Sequence, residues 1–238
     1  MKAILSKTAY QKGVQCLKAL YLYKHHPKLR DPLSEERRLR FEAGHHIGIK
    51  AHQLFPGGIN LRPSGPSRPL ADAQRTTSLI QSGTSILYEP AFIHQGVVVY
   101  NDILVFKNSG WHLYEVKSNE NIPDHYIEDL ALQSYIVSES GLPLHSASIV
   151  HLKMPLKDIQ ESTETNDIFC ISDFTEECML RRQRITENIK KMQLTLAIRR
   201  VPDITTGEHC QRPYPCEFYG YCHQEIRNDG QGLFAVPE

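Results

Sequence analysis

Apolar residues near the start of the chain recur at the spacing of an amphipathic helix. The pattern predicts helices over residues 6–25 and 35–55. Proline and glycine residues follow both ranges and end them, because proline cannot continue a helix. Residues 59–75 are rich in proline and glycine and are expected to form a loop, with a short helix before Gly83.

The middle of the chain changes to runs of β-branched and aromatic residues separated by turn residues. Strands are predicted over residues 85–94, 97–106 and 111–116. The pair Gln95-Gly96 and the segment 107–110 supply the turns between them. A helix, a strand and a long helix are then predicted over residues 126–140, 147–154 and 175–198. This order indicates an α/β fold in which helices flank a central mixed β-sheet.

The length of 238 residues favours one domain, within which four parts differ in pattern. They are a helical part, a sheet with its following helix, a second helical part and a cysteine-rich tail, over residues 1–82, 83–155, 156–200 and 201–238. The tail shows no hydrophobic period, so we expect it to need an additional link, such as a bound metal, to hold its structure.

The composition is that of an ordinary globular protein, with 40% hydrophobic and 23% charged residues. No apolar run of about 18 residues predicts a membrane span. The first residues lack the apolar stretch of a secretory signal, so we expect a cytoplasmic protein. A net charge of zero is mild evidence against nucleic acid binding. Basic residues are nevertheless concentrated in residues 2–40 and 181–191, so one face can still be basic.

Acidic residues fall at matching positions of the predicted hairpin. With the turn over residues 107–110, strand pairing places Phe106 opposite Trp111 and Asp102 opposite Glu115. Like charges that face each other destabilise a sheet. Either the face is solvent-exposed, or the register is shifted, or a divalent cation lies between the two carboxylates.

The flanking residues add a third carboxylate and an ammonium group. A tight Gln95-Gly96 turn places Glu89 opposite Asp102, and Lys117 shares the face of Glu115 because side chains alternate along a strand. Oxygen ligands of this kind suit Mg²⁺ or Mn²⁺. A metal with a neighbouring lysine can activate water and stabilise negative charge, which is the chemistry of phosphodiester hydrolysis.

This order of residues resembles the PD-(D/E)xK nuclease superfamily and, within it, the RecB-like branch. The resemblance consists of Gly48-x-x-x-His52 before the strands, Asp102 on a hairpin strand, Glu115-x-Lys117 on the next strand, and Gln133 on the following helix. The branch usually carries a tyrosine four residues after that glutamine. Here the tyrosine is Tyr135, which we expect to be a core residue.

The resemblance implies a restriction-endonuclease-like core with a metal ion bound by His52, Asp102, Glu115 and the carbonyl of Val116. Lys117 is then expected to help activate the attacking water. Gln133 is expected to contact the substrate backbone or an active-site water. Glu89 is a less favoured candidate ligand, and His45 is the alternative to His52 as the histidine ligand.

Half of the six cysteines lie close together in the tail, as Cys210, Cys216 and Cys222. A cytosolic location argues against disulfide bonds, so clustered cysteines favour metal binding. Three thiolates need a fourth ligand to hold zinc or an iron-sulfur cluster. His209 or His223 can supply it locally, and Cys16 can supply it from the N-terminal helix.

One cysteine upstream of the nuclease motifs and three downstream resemble the iron-sulfur members of the RecB-like branch, which include CRISPR-associated exonucleases and AddB subunits. That resemblance implies a [4Fe-4S] cluster on Cys16, Cys210, Cys216 and Cys222, which staples a helical cap onto the core. Zinc is the alternative. Cys170 and Cys178 have no matching partners and are expected in the core or on a helix.

The resulting hypothesis is a Mg²⁺- or Mn²⁺-dependent DNA nuclease that cuts single strands or cuts DNA from an end. It would act in repair, recombination or CRISPR-type processing. Single-stranded DNA is the expected partner, and a helicase or integrase is a further candidate. Two alternatives are a non-catalytic iron-sulfur or zinc module that binds nucleic acid or protein, and a phosphoesterase acting on small nucleotides.

Overall fold

The N-terminal segment forms two helices rather than the single predicted one. In the computed structural model, which describes residues 5–160 and 163–228, these are α1 (Lys7–Gln15) and α2 (Leu17–His25). Cys16 separates them in an extended conformation, with φ −163° and ψ 121°. The hydroxyl of Ser6 accepts a hydrogen bond from the N–H of Ala9 and so caps α1.

The next two helices differ from the prediction mainly at their ends. Helix α3 (Glu35–Ala51) begins after the capping residue Ser34 and continues into a 3₁₀ turn through Leu54. Helix α4 (Pro69–Gln81) begins earlier than expected, inside the segment predicted as a loop. Pro69 occupies the first turn of α4, where the missing N–H of proline costs no helical hydrogen bond.

Two sheets share the middle of the chain. Their strands are β1 (Leu5–Ser6), β2 (Ile59–Asn60), β3 (Ile86–Tyr88), β4 (Ala91–His94), β5 (Val97–Tyr100), β6 (Ile103–Lys107), β7 (Gly110–Val116), β8 (Leu144–Leu152) and β9 (Phe169–Asp173). The larger sheet is mixed and has the order β2-β3-β6-β7-β8-β9, and the smaller has the order β1-β5-β4.

The predicted strand over residues 97–106 is divided between the two sheets. The division falls at Asn101 and Asp102, and the opposite strand divides at Glu89 and Pro90. The N–H of Glu89 donates to the carbonyl of Asp102, and the N–H of Asn101 donates to the carbonyl of Pro90. Both strand pairs therefore keep one register across the bend, with Glu89 opposite Asp102 as predicted.

Helices cover both faces of the larger sheet, which confirms the prediction of mixed sheets flanked by helices. The remaining helices are α5 (Asp124–Glu139), α6 (Thr165–Ile168), α7 (Thr175–Leu180), α8 (Arg182–Ala197) and α9 (Tyr219–Asn228). Helices α1, α5 and α8 form one apolar core with the sheets, whereas α3 covers the opposite face through Ile47 and Ala51. The long helix predicted over residues 175–198 is interrupted at Arg181.

Helix α1 approaches α8 closely at Gly13. A Cβ atom at this position would lie 2.7 Å from the side chain of Met192, so glycine permits the contact. The tail joins the same end of the molecule, because the fully buried Phe218 packs on Ala19 and Leu22 of α2. The described helices include none that is long and apolar enough to cross a membrane.

Candidate active site

The ends of two antiparallel strands place Asp102 beside Glu115. Strand β6 pairs with β7 so that Phe106 lies opposite Trp111 and Ile103 lies opposite Tyr114, which confirms the predicted register. Asp102 precedes β6 directly, and its Oδ2 accepts a hydrogen bond of 2.6 Å from the N–H of Val116. The two acidic residues therefore occupy the next pair of positions along the hairpin.

Three side chains donate hydrogen bonds to the carboxylate of Glu115, which is only 2% exposed. Nζ of Lys117 lies 2.8 Å and Nζ of Lys7 lies 2.9 Å from Oε1. Nε2 of Gln133 lies 2.6 Å from the other oxygen, Oε2. Burial of a carboxylate is costly unless it is paired and hydrogen-bonded, and here both oxygens are satisfied.

Gln133 is itself oriented by a second amide. Nδ2 of the fully buried Asn101 donates a hydrogen bond of 2.8 Å to Oε1 of Gln133. The Gln133 amide is therefore turned so that its N–H group points at Glu115. Asn101 sits at the point where the predicted strand divides, so the bend between the sheets also positions the site.

A third carboxylate, Asp129, completes the group. Its Oδ2 lies 2.9 Å from Nζ of Lys117, and its Oδ1 accepts a hydrogen bond from the amide of Gln11. Asp129 is 5% exposed and belongs to the buried face of α5. Lys117 is thus held between Glu115 and Asp129.

The sequence did not reveal three of these residues as site residues, namely Lys7, Gln11 and Asp129. A signal for them exists in the spacing, since Lys7 and Gln11 are four positions apart on α1, as are Asp129 and Gln133 on α5. Residues four apart lie on one helix face. Polar pairs on the core side of a helix therefore indicate a buried polar site.

Charge within this group is unbalanced. It contains three carboxylates and two ammonium groups, from Asp102, Glu115, Asp129, Lys7 and Lys117, and would carry an excess of one negative charge if all three carboxylates were ionised. Partial burial, together with the charge of Glu115, raises the pKa of Asp102 to about 8. Asp102 is therefore mostly protonated at neutral pH unless a further cation nearby stabilises its ionised form.

The other groups have well-defined protonation states. Burial alone would raise the pKa of Glu115, but Lys117 and Lys7 lower it well below its usual range. Burial would likewise lower the pKa of Lys117, but Glu115 and Asp129 raise it above the normal value for lysine. Glu115 is therefore ionised and Lys117 is a stable ammonium group at neutral pH.

The predicted metal ligands are not all on one side of the sheet. The ring of His52 stacks on that of Tyr88 at 3.9 Å, among the residues that pack under α3. Glu115 points to the opposite face, because Tyr114 and Leu113 before it alternate between the two cores. The structure brings Asp102, Glu115 and Val116 together and leaves His52 across the sheet.

Three further residues have clear positions. His45, the rival of His52, pairs with Arg62 through Nδ1 at 2.6 Å on the protein surface. Glu89 lies opposite Asp102, and burial raises its pKa. Tyr135 is buried, and its hydroxyl accepts a hydrogen bond from Thr186, which agrees with the prediction that it is a core residue.

The donor set at Asp102 and Glu115 fits a hard divalent cation. Both side chains provide oxygen atoms, and a divalent cation between them would remove the repulsion that raises the pKa of Asp102. Lys7 donates a hydrogen bond to one of the two Glu115 oxygens and would share that oxygen with such a cation. Across residues 5–160 and 163–228, no three His, Cys, Asp or Glu side chains are spaced to hold a metal ion as they stand.

The four cysteines predicted as cluster ligands line one small cavity between α2 and the tail. Cys16 reaches it from the break between α1 and α2, and Cys210, Cys216 and Cys222 reach it from the tail. Ala19, Phe218, Thr205, Thr206 and His209 are among the other residues of its wall. Burial raises the pKa of the Cys16 thiol, and the N–H groups of Ala19 and Lys18 lower it in part. This donor set fits a cluster or metal that binds four thiolates.

The remaining cysteines lie apart from this cavity, since Cys170 is on β9 and Cys178 is buried on α7. Comparison with known proteins adds no assignment: no protein-family model matches the chain, and a search of curated proteins found no match.

Proposed function

We propose that the protein is a metal-dependent deoxyribonuclease of the PD-(D/E)xK type, with a restriction-endonuclease-like core. It hydrolyses phosphodiester bonds in single strands or from DNA ends. The main supporting observation is that Asp102 and Glu115 lie side by side at the end of one strand pair. Lys117 donates a hydrogen bond to the carboxylate of Glu115 at the same place. Such an arrangement is costly for a purely structural strand end, because two neighbouring carboxylates repel each other when both are ionised.

The proposed metal site consists of Asp102, Glu115 and the carbonyl of Val116. Mg²⁺ or Mn²⁺ bound there would act as a Lewis acid and lower the pKa of a water molecule. The chain itself holds the ligands in place. The N–H of Val116 fixes Asp102, and the amide of Gln133 fixes the second oxygen of Glu115. His52 is not included, because its ring stacks on Tyr88 on the face of the sheet that α3 covers.

Lys117 acts as a cation in this proposal rather than as a base. Its raised pKa keeps the ammonium group protonated at neutral pH, so it donates hydrogen bonds and cannot accept a proton. Glu115 and Asp129 hold it in position. From there it stabilises the negative charge that develops on the phosphate during hydrolysis.

The cysteine cavity supports a structural [4Fe-4S] cluster as the second part of the proposal. Its four ligands come from the N-terminal helices and the tail. The cluster would therefore join the two ends of the described chain beside α1, which carries Lys7 and Gln11. Its role is to hold these helices against the active site.

The proposal is tested by incubating the chain, purified without oxygen, with labelled single-stranded DNA and Mn²⁺, Mg²⁺ or EDTA. Cleavage is expected with either metal and not with EDTA. Asp102→Asn and Lys117→Met should each lower the rate by about a hundredfold or more. Asp158→Asn and Lys157→Met, at neighbouring exposed positions outside the hydrogen-bonded group of the site, are the matched controls.

Different substrates distinguish an exonuclease, an endonuclease and a small-molecule phosphoesterase. Linear and circular single strands distinguish cutting from an end from internal cutting, and competition by mononucleotides identifies a small-molecule phosphoesterase. Unchanged cleavage in both site variants, or cleavage that persists in EDTA, would refute the proposed centre. DNA binding without any metal-dependent cleavage would favour a non-catalytic module.

A further inference from the structure

A row of three aromatic rings borders the carboxylate site. The rings of Tyr126 and His125 meet edge to face, with centroids 4.6 Å apart and planes at 77°. The rings of His125 and Tyr214 meet in the same way, at 4.8 Å and 75°. Two of these residues begin α5, whereas Tyr214 belongs to the tail between Cys210 and Cys216. The row therefore links the core to the tail.

The inner end of this aromatic row lies at the proposed catalytic residues. Nζ of Lys117 lies over the ring of Tyr126, 4.7 Å from its centroid, and the hydroxyl of Tyr126 donates to Asn119 at 2.8 Å. The charges of Asp129 and Lys117 are close enough to influence the pKa of Tyr214 as well. All three rings thus lie within reach of a substrate that contacts Lys117.

At the outer end of the aromatic row, the backbone of Tyr214 is held by a hydrogen bond, whereas its side chain is partly exposed to solvent. Nε2 of Gln15, at the end of α1, donates hydrogen bonds of 2.7 Å to the carbonyls of both Tyr214 and His209. Tyr214 is nevertheless 40% exposed. A ring that is held in place but accessible is prepared to stack on a ligand at little entropic cost.

We propose that the aromatic row of His125, Tyr126 and Tyr214 is a subsite for an unpaired nucleobase of a DNA strand whose phosphate lies at Lys117. This inference deepens the proposed function and rests on it. Every base has a face that stacks on an aromatic ring, so such a platform accepts single strands of any sequence. A base inside a duplex has both faces covered, so the subsite selects unpaired ends or single strands.

The charges around the aromatic row fit this occupant. Burial raises the pKa of Tyr126, and the positive charges of Lys117 and Arg40 lower it in part, so both cations lie near this residue. Cations beside an aromatic surface suit a chain of alternating bases and phosphates.

The test measures DNA binding and so does not depend on cleavage. Fluorescence anisotropy, without added divalent metal, compares a labelled oligothymidylate with an abasic oligonucleotide of equal length and charge. The full chain should bind the oligothymidylate about tenfold more tightly, or by about 1.4 kcal/mol, because a base that stacks on an aromatic ring adds to the affinity. Tyr214→Ala should abolish this preference, and Tyr214→Phe should retain it.

Phe106→Ala is the matched control, because Phe106 is an aromatic residue with similar exposure, 45%, at the far end of the β6–β7 hairpin. It should leave the preference unchanged. A merely structural Tyr214 would weaken binding of both oligonucleotides equally, which would overturn the subsite. Equal binding of both by the unaltered chain, or no binding of either, would overturn it too.

The same measurement separates the subsite from the proposed activity. Base-dependent binding by a chain that never cleaves DNA supports the subsite and refutes the nuclease. Cleavage by a chain whose binding ignores the bases refutes the subsite and leaves the nuclease in place.

Discussion

Nζ of Lys7 lies 2.9 Å from Oε1 of Glu115, although 108 residues separate the two in sequence. The contact joins the first helix of the described chain to the end of a central strand. Lys7 and Lys117 share the same oxygen of Glu115, so the ammonium of Lys7 acts as a counterion in a group with more carboxylates than ammonium groups.

Replacement of Lys7 tests this counterion role. Lys7→Met should lower the free energy of unfolding by on the order of 2 kcal/mol, because it leaves more uncompensated charge in a largely buried group. Saturating Mn²⁺ should restore part of the loss, because the metal replaces the missing positive charge. Urea denaturation with and without Mn²⁺ provides the measurement.

Lys157→Met is the control for this experiment, since Lys157 is exposed and takes no part in the hydrogen bonds or ion pairs of Glu115. It should change stability little under either condition. The counterion role would be contradicted if Lys7→Met and Lys157→Met had the same stability with and without Mn²⁺.

The raised pKa of Asp102 predicts a specific pH dependence of stability. Its value of about 8 in the folded chain exceeds the ordinary value of about 4 for an unfolded aspartate. The folded chain therefore binds this proton more tightly, and the contribution of Asp102 to stability is greatest at low pH and declines as pH rises from about 4 to about 8. The slope is at most about 1.4 kcal/mol per pH unit for one proton.

Asp102→Asn should remove this decline, because the amide does not titrate. Urea denaturation over that pH range measures it as the difference between the unaltered chain and the variant. Mn²⁺ should flatten the slope of the unaltered chain alone, since it favours the ionised carboxylate. A difference between the two proteins that stays constant with pH would rule out an elevated pKa at Asp102.

Gln133 should matter for both stability and cleavage. Gln133→Leu keeps a similar volume but removes the hydrogen bonds to Glu115 and Asn101, which leaves two buried polar groups with fewer partners. We expect a loss of about 1–3 kcal/mol in unfolding free energy and a lower cleavage rate. Ser140→Ala, at the C-cap of the same helix, is a control that should retain the cleavage rate. Full activity in Gln133→Leu would show that Glu115 needs no such orientation.

The cysteine cavity predicts which thiols hold a cluster. Cys16→Ser and Cys216→Ser should lose bound iron, sulfide and the broad absorption near ~400 nm that thiolate-bound clusters give. Cys170→Ser should retain all three, because Cys170 lies on β9, away from the cavity. Elemental analysis of anaerobic preparations measures the difference. A colourless preparation with one zinc per chain would replace the iron-sulfur assignment by a zinc site.

Much of the hairpin could be predicted because its rules are local. The turn after Phe106 determines which residues face each other across β6 and β7, so the neighbouring positions of Asp102 and Glu115 followed from a short stretch of sequence. The division at Asn101 did not follow, since the apolar residues on both sides look like one strand. Two polar residues inside an apolar run were the available signal.

The sequence by itself determined the alternation of helices and strands, the register of the central hairpin and the residue types that meet there. These depend on side-chain period and turn chemistry, which act over a few residues. Only the tertiary structure decided that Lys7 and Asp129 meet Lys117 and Glu115, that His52 lies across the sheet, and that the tail brings Tyr214 to the site. Contacts between distant segments depend on how whole faces pack and how buried charges are balanced, and no local pattern encodes that balance.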